Sequence, residues 1–348
     1  MILFLLIFLI QETMENYNIA IVGKSGVGKS SLLNYLFDKD IAKTGNGKPV
    51  TYPGFHLFKN KINNKTVNIY DSWGIEAGKT QKWLNDFKEF QKDRKDEDDV
   101  SKWVHSIIYC ISGNGKRIED FDKKIIEAIK KESLKPVIVL TKSDSDGIDD
   151  FADKIYSITG IKPVKVSNVE KKTFGGMVKK FGREELIKSI EKSSVDSFKD
   201  RFKYLLNNKL VREKNKLDAV FLKSFKAYLF DCAIKEKVSR NDLTQIEKNL
   251  KLEVNESQKQ FKKEIDSFIS RAEMFYKNKI STVFNKNIDK SFNFNLKIPP
   301  EFDFDILDII FPPIIIIRKF FSRIPKDDQK VYPTDKIIGI FKEKNHMK

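Results

Sequence analysis

Cysteine and histidine are nearly absent from this chain of 348 residues. Two cysteines, Cys110 and Cys232, cannot build a disulfide framework, so the fold does not require an oxidising compartment. Three scattered histidines (His56, His105, His346) with no CxxC pair leave almost no zinc-ligand set. A long membrane-spanning run is missing as well. The apolar start MILFLLIFLI ends at Gln11-Glu12, well short of the ~20 residues a spanning helix needs. It also lacks the basic flank and small-residue cleavage site of a secretory signal. Residues 1–16 therefore read as a misassigned start, with Met14 as the natural one, or as a weak anchor. Proline and glycine are missing between about Glu184 and Ser291, which favours long helices there.

What is present suits a folded protein of two domains: 40% hydrophobic and 33% charged residues, at a length about twice the ~150-residue prior for one domain. The net charge of +16 is lopsided. Residues 1–170 hold 26 Lys+Arg against 24 Asp+Glu, whereas residues 171–348 hold 39 against 25. A basic second half points to an anionic partner, either a phospholipid surface or nucleic acid. The same composition also makes an ordinary lysine-rich solvated helical surface.

From Tyr17 to Val169, β-rich runs (YNIAIV, GFHLF, TVNIY, VHSIIYCIS, KPVIVLT, KPVKVS) alternate with helical stretches at Lys29–Phe37, Lys79–Phe90, Ile118–Lys131 and Gly147–Ile158. This alternation predicts a mostly parallel sheet with helices on both faces, GFHLF and TVNIY forming an antiparallel hairpin at one edge. A basic connector at 171–183 follows. Over 184–297, apolar residues recur at three- and four-residue steps (Phe198, Phe202, Leu205, Leu206; then Leu243, Ile246, Leu250, Phe261, Ile265, Phe268), predicting a helical hairpin or bundle with Asn241 as a cap between helices. The predicted fold class is thus an α/β domain over 17–170 followed by an all-α domain. The last segment, 298–348, is apolar and then basic. Its Ile306–Phe321 stretch carries Asp308 and Pro312-Pro313, so it would dip into one leaflet or pack as core rather than span.

The chemistry is concentrated in four short motifs. Gly23-Lys24-Ser25-Gly26-Val27-Gly28-Lys29-Ser30 is a complete GxxxxGK[ST] phosphate loop, set between the strand NIAIV and the helical SLLNYLF. Its glycines let successive N–H groups turn inward onto phosphate oxygens, and the helix behind it, from Ser31 on, presents its positive end. Lys29 would place its charge on the β- and γ-phosphates, and the Ser30 hydroxyl would coordinate Mg2+. Asp71-Ser72-Trp73-Gly74 fits DxxG: Asp71 would hold the metal, and the Gly74 N–H would meet the γ-phosphate. Thr141-Lys142-Ser143-Asp144 fits [NT]KxD. There the Asp144 carboxylate would accept two hydrogen bonds from guanine that adenine cannot offer, and the Lys142 stem would cover the base. Ser167-Asn168 fits the loop that meets the guanine carbonyl through backbone N–H groups. Thr51 is the expected activation-segment threonine for Mg2+ and the γ-phosphate, with Thr44 as the fallback.

With these motifs in order, residues 17–170 resemble a translation-factor-class (Ras-like) P-loop GTPase domain. GKSGVGKSSLLN is most similar to the phosphate loops of the immunity-associated, chloroplast-import (Toc), septin and interferon-inducible GTPases. The resemblance implies GTP or GDP and Mg2+ as cofactors. Two departures matter. Trp73 stands where proline is common, and Ile75 follows Gly74 where Ras-like proteins carry the glutamine that orients water. A side chain with no polar atom cannot do that job, so slow intrinsic hydrolysis is expected. The resembling families share this lack and complete the site by dimerisation or with a partner, which implies a GTP-dependent homodimer or oligomer here. Arg117 is either a trans-acting arginine for such an assembly or a surface arginine capping a helix.

Three functional readings follow. The first is a cytoplasmic regulatory GTPase, dynamin-like in outline, acting at the inner face of a membrane through its basic half. The second is a ribosome- or RNA-associated GTPase, disfavoured by the lack of an RNA-binding motif in the helical half. The third is a GTP-binding scaffold that does not hydrolyse.

Overall fold

The computed structural model describes residues 17–38, 48–49, 54–62, 65–76, 78–94, 99–173, 176–234, 237–280, 283 and 332–333. The expectations for residues 1–16, for Thr44 and Thr51, and for nearly all of 298–348 lie outside them.

Seven strands form one sheet in the order β2-β3-β4-β1-β5-β6-β7. They are β1 (Tyr17–Gly23), β2 (Lys48–Pro49), β3 (Phe55–Ile62), β4 (Lys65–Ser72), β5 (Ser106–Ser112), β6 (Val137–Thr141) and β7 (Val164–Lys165). The central pairs β4·β1, β1·β5, β5·β6 and β6·β7 are parallel, whereas β2·β3 and β3·β4 are antiparallel. The expected hairpin is therefore present, with β2 beyond it at the edge. Helices α1 (Lys29–Phe37), α2 (Thr80–Lys92), α3 (Asp120–Lys131) and α4 (Ile148–Thr159) fall within a residue or two of the predicted spans.

β1 is buried along its whole length, as a strand covered on both faces must be. Ala20 and Val22 face a core shared with Phe55, Trp83, Phe87, Phe90, Ile125, Ile129 and Phe151. Strand alternation turns Ile19 and Ile21 to the other face. Helix α3 buries Ile125, Ile126 and Ile129 and begins with a reciprocal cap: Glu119 accepts from the backbone of Asp122, whose side chain accepts from the Glu119 N–H. Each fully buried large side chain contributes roughly 1.5–3 kcal/mol of transfer free energy before conformational entropy is counted.

The connector 171–183 holds a short antiparallel hairpin, β8 (Lys171–Thr173) and β9 (Gly176–Val178), which composition did not reveal. Beyond it run α5 (Arg183–Ile234) and α6 (Arg240–Phe275), the long helices expected from the missing proline and glycine. The cap of α6 is Ser239, not Asn241. Ser239 Oγ accepts from the Asp242 N–H, and Asp242 Oδ2 accepts from the Ser239 N–H. A serine three residues before an aspartate satisfies two helix-end groups at once, which an asparagine two positions later cannot do.

The chain divides into two compact units inside these helices. The first comprises residues 1–205 and 271–289, so the start of α5 and the end of α6 pack with the sheet. A serine-rich turn of α5 makes this contact: Ser194 bonds to the Tyr17 hydroxyl, Ser193 Oγ lies 3.1 Å from Ser106 Oγ, and Ser197 Oγ accepts from the Lys135 N–H at 2.8 Å. Rings of Tyr17, His105, Phe275 and Phe198 stack in series beside it. The second unit, residues 206–270 and 290–348, contains the second half of α5, most of α6 from its start, and a small pairing of β10 (Lys237–Val238) with β11 (Tyr332–Pro333). Among the described residues, no helix is long and apolar enough to cross a membrane.

Candidate nucleotide-binding site

The phosphate loop sits at the carboxyl end of β1, in the crevice where open parallel sheets bind ligands. Gly26 and Gly28 take φ of 76° and 99°, backbone that L side chains rarely adopt, and this lets the chain curl into the first turn of α1. Ser25, Gly26, Ser30 and Ser31 are exposed around the curl, whereas Val27 and Lys29 are buried. Lys29 Nζ lies across the loop, donating to the carbonyls of Gly23 at 2.9 Å and Lys24 at 3.3 Å. Burial holds its ammonium below the usual lysine range, and the nearby Asp71 carboxylate opposes the shift.

Asp71 is the penultimate residue of β4, paired with Ile21 of β1. Burial raises its carboxyl to about 6, against the pull of Lys29 and His56. Its Oδ1 is buried and has no hydrogen-bond partner. A buried carboxylate oxygen left unpaired beside a curled loop of N–H groups fits a divalent cation held at a phosphate.

Gly74 passes directly over the phosphate loop: a Cβ there would lie 2.7 Å from Ser25 Cα. The next residue extends the β1·β4 pairing, with the Ile75 N–H donating to the Gly23 carbonyl and the Ser25 N–H donating to the Ile75 carbonyl, both at 3.2 Å. The Ile75 side chain itself is fully buried in the core with Phe55 and Trp83. Sequence reasoning identified Ile75 as apolar but not that its backbone is stitched to the phosphate loop.

The base side of the crevice is assembled from two loops. The Thr141 hydroxyl donates to the Val27 carbonyl, and Lys142, at φ 54°, donates Nζ to the Gly26 carbonyl at 3.0 Å. The Ser143 N–H donates to the Val166 carbonyl at 3.1 Å, bringing the half-buried Asp144 beside the loop at Ser167 and Asn168. Asn168 Nδ2 in turn reaches the Ser31 carbonyl at 3.3 Å. The phosphate loop and the Asp71, Asp144 and Asn168 regions thus converge on one crevice. Arg117 is exposed three residues before α3, whose cap is made by Glu119 and Asp122 rather than by an arginine. Lys24, a variable position of the motif, pairs with Glu119 at 2.9 Å, a contact that no sequence signal announced.

Residues 18–142 match the family model described as 50S ribosome-binding GTPase. The tRNA modification GTPase MnmE of Aliarcobacter butzleri is 33% identical over 132 residues, 37% of this chain and 27% of that protein. Cell division control protein 10 of Candida albicans is 26% identical over 162 residues, 39% of this chain and 44% of that protein. The crystal structure of Toc33 from Arabidopsis thaliana in complex with Mg2+ and GMPPNP aligns with a TM-score of 0.38 at 20% identity, covering 56% of this chain and 89% of that one. The chain spans between about a quarter and a half of the length of these curated relatives. The motifs in their order, the crevice they share and the family match agree: residues 18–142 belong to a P-loop GTPase domain of the Ras-like, translation-factor class, with guanine nucleotide and Mg2+ as its ligands.

Proposed function

We propose that this chain is a GTP-hydrolysing switch whose isolated catalytic site is slow and is completed by a second protein molecule. The observation that carries the reading is Ile75: its side chain is wholly buried in the core, and its backbone is tied to Gly23 and Ser25. No polar side chain at that position is available to orient water. Within the site, Lys29 neutralises the β- and γ-phosphates, Ser30 and Asp71 hold Mg2+, and the Gly74 N–H meets the γ-phosphate. Bound Mg2+ supplies charge neutralisation of the triphosphate. Asp144 reads the guanine edge, Thr141 and Lys142 brace the phosphate loop, and the Ser167–Asn168 loop meets the guanine carbonyl. Thr51 is assigned to the metal and γ-phosphate on sequence position alone.

The completing molecule is a second copy of the chain, formed in the GTP state, and exposed Arg117 is the side chain offered to it. GTP turnover measured across protein concentration tests this. Specific activity that rises with concentration supports assembly; a rate that is finite and flat removes it, and no turnover at all leaves the scaffold reading.

A ribosome- or RNA-associated role is the second reading. Its support is the description of the matching family, the tRNA-modifying relative and the basic second half of the chain. The membrane-surface reading keeps only the charge of that half, because Ile306–Phe321 lies outside the described residues. Filter binding to ribosomal RNA against flotation with anionic liposomes separates the two.

A further inference from the structure

Three consecutive residues join the sheet to α5, and each is fixed by a different contact. Phe181 and Ser167 exchange backbone hydrogen bonds, the Phe181 N–H donating at 2.9 Å and the Ser167 N–H at 3.2 Å. Gly182, at φ 89°, crosses β7 so closely that a Cβ would lie 2.1 Å from the Lys165 carbonyl oxygen, so no other residue fits. Arg183 then reaches the far end of α1. Its Nε donates to the carbonyls of Tyr35 at 3.2 Å and Leu36 at 3.1 Å, and its Nη2 to Leu36 at 2.9 Å.

Those contacts serve needs that α1 cannot meet itself. The last carbonyls of a helix have no partner within it, and a cation there also complements the negative end of the helix dipole. No basic residue lies in the last turn of α1, so Arg183 supplies the missing charge from 146 positions downstream of Phe37. The other end of α1 is Lys29 and the phosphate loop. A single tripeptide therefore holds the guanine-side loop through Phe181 and the phosphate helix through Arg183. Asn168, bonded to Ser31, closes the same triangle from within the site.

We propose that Phe181–Gly182–Arg183 is a clamp that sets the distance between the guanine loop and the phosphate helix, with Arg183 a positioning residue for bound guanine nucleotide. The proposal rests on the assignment of the Ser167–Asn168 loop to the guanine carbonyl. Ser167 commits its N–H to Phe181, so the donors that meet the base come from the residues after it, and their placement depends on the clamp. The clamp is also the first turn of α5, with the Leu186 N–H bonded to the Gly182 carbonyl at 3.0 Å and Leu186 fully buried. A change in the spacing between base and phosphate sites is thereby felt at the root of the long helix.

The test times the release of a fluorescent GDP from the full chain in wild type, Arg183→Ala, Arg183→Gln and Arg183→Lys. Competition by GDP and by 6-thio-GDP is measured in parallel. The thio analogue keeps the N–H and amine that face Asp144 and weakens only the acceptor that faces the loop. Loss of the charge-assisted bonds in Arg183→Ala is expected to speed GDP release about tenfold. It should also narrow the preference for GDP over 6-thio-GDP, with Arg183→Lys recovering part of both. Should the alanine variant fail to fold, Arg183→Gln gives the same readout with one donor kept. A lower melting temperature with unchanged release and unchanged preference would show a merely structural cap and overturn the proposal. Wild-type protein that binds GDP without preferring it to 6-thio-GDP would overturn it too, by removing the loop from the base. Wild-type protein that binds no guanine nucleotide would sink the functional reading itself.

Discussion

Trp73 and Gly54 are locked edge to backbone: the Trp73 N–H donates to the Gly54 carbonyl at 2.8 Å, and a Cβ on Gly54 would sit 2.4 Å from the indole Cδ1. The indole Nε1 also donates to Asp86 on α2 at 3.1 Å. Tryptophan in the DxxG loop thus ties the approach to β3 to α2, a job the commoner proline cannot do. Gly54→Ala should destabilise the protein by about 1–3 kcal/mol, through this clash and through the φ of 93° that alanine resists. In Gly54→Ala/Trp73→Leu the cost should shrink, giving a coupling above about 0.5 kcal/mol in urea denaturation. Strict additivity of the two substitutions would disprove the lock.

Asp144 tests the base assignment. Two hydrogen bonds to a charged carboxylate are at stake, so Asp144→Asn should lose on the order of 10^2–10^4-fold in GTP affinity. Xanthosine triphosphate, which presents an acceptor where guanine presents its amine, should gain. Titration with both nucleotides reads the exchange. Unchanged GTP affinity would remove Asp144 from the base.

Restoring glutamine after Gly74 is the obvious repair, and the structure argues that it fails. Ile75 is packed with Phe55, Trp83 and their neighbours, and its backbone is held by Gly23 and Ser25. An amide there enters an apolar core, costing about 1–3 kcal/mol in stability. Ile75→Gln should therefore melt lower and hydrolyse GTP no faster than wild type in single turnover at low protein concentration. A clear gain in rate would mean that the side chain swings out to the nucleotide.

Much of this site was readable from the chain because its chemistry is local. GKSGVGKS, DSWG and TKSD each need their residues within a few positions, so spacing alone carries the signal. The strand-helix alternation and the missing proline and glycine gave the architecture for the same reason. Contacts set by distant parts of the chain left no such trace. Lys24 with Glu119, Trp73 with Gly54 and Asp86, and Arg183 with Tyr35 and Leu36 are pairings across 13 to 148 positions. The β8–β9 hairpin was missed because its strands are three residues each, too short to show a period. Asn241 is a cap by residue type alone, and only the bonds between Ser239 and Asp242 show that the helix starts two positions earlier.

His105 gives the protein an acid-side sensitivity whose sign can be worked out. Burial lowers its pKa to about 3, while hydrogen bonds with Val100 and Asn18 oppose the shift and Arg201 adds to it. Nδ1 accepts from the Asn18 N–H at 2.9 Å, so a proton there would face another donor, and Nε2 lies 3.1 Å from the Val100 carbonyl. The folded protein therefore keeps this ring neutral, whereas the unfolded chain protonates it near 6.5. Above that pH the ring is neutral in both states and its titration leaves stability unchanged. As pH falls below it, the unfolded state binds a proton that the folded state refuses, and stability drops by about 1.4 kcal/mol per unit. Asp71, with a folded value of about 6, works in the opposite direction between there and its ordinary carboxylate range, so total stability is not the right readout. The difference between wild type and His105→Gln isolates the ring. Gln keeps an amide donor for Val100 but cannot titrate. Wild type should lead at pH 7, and its lead should shrink by about 2.3 kcal/mol between pH 6.5 and 4.5 in chemical denaturation. Parallel curves for the two proteins across that window would show that His105 is charged, or freely solvated, in the fold.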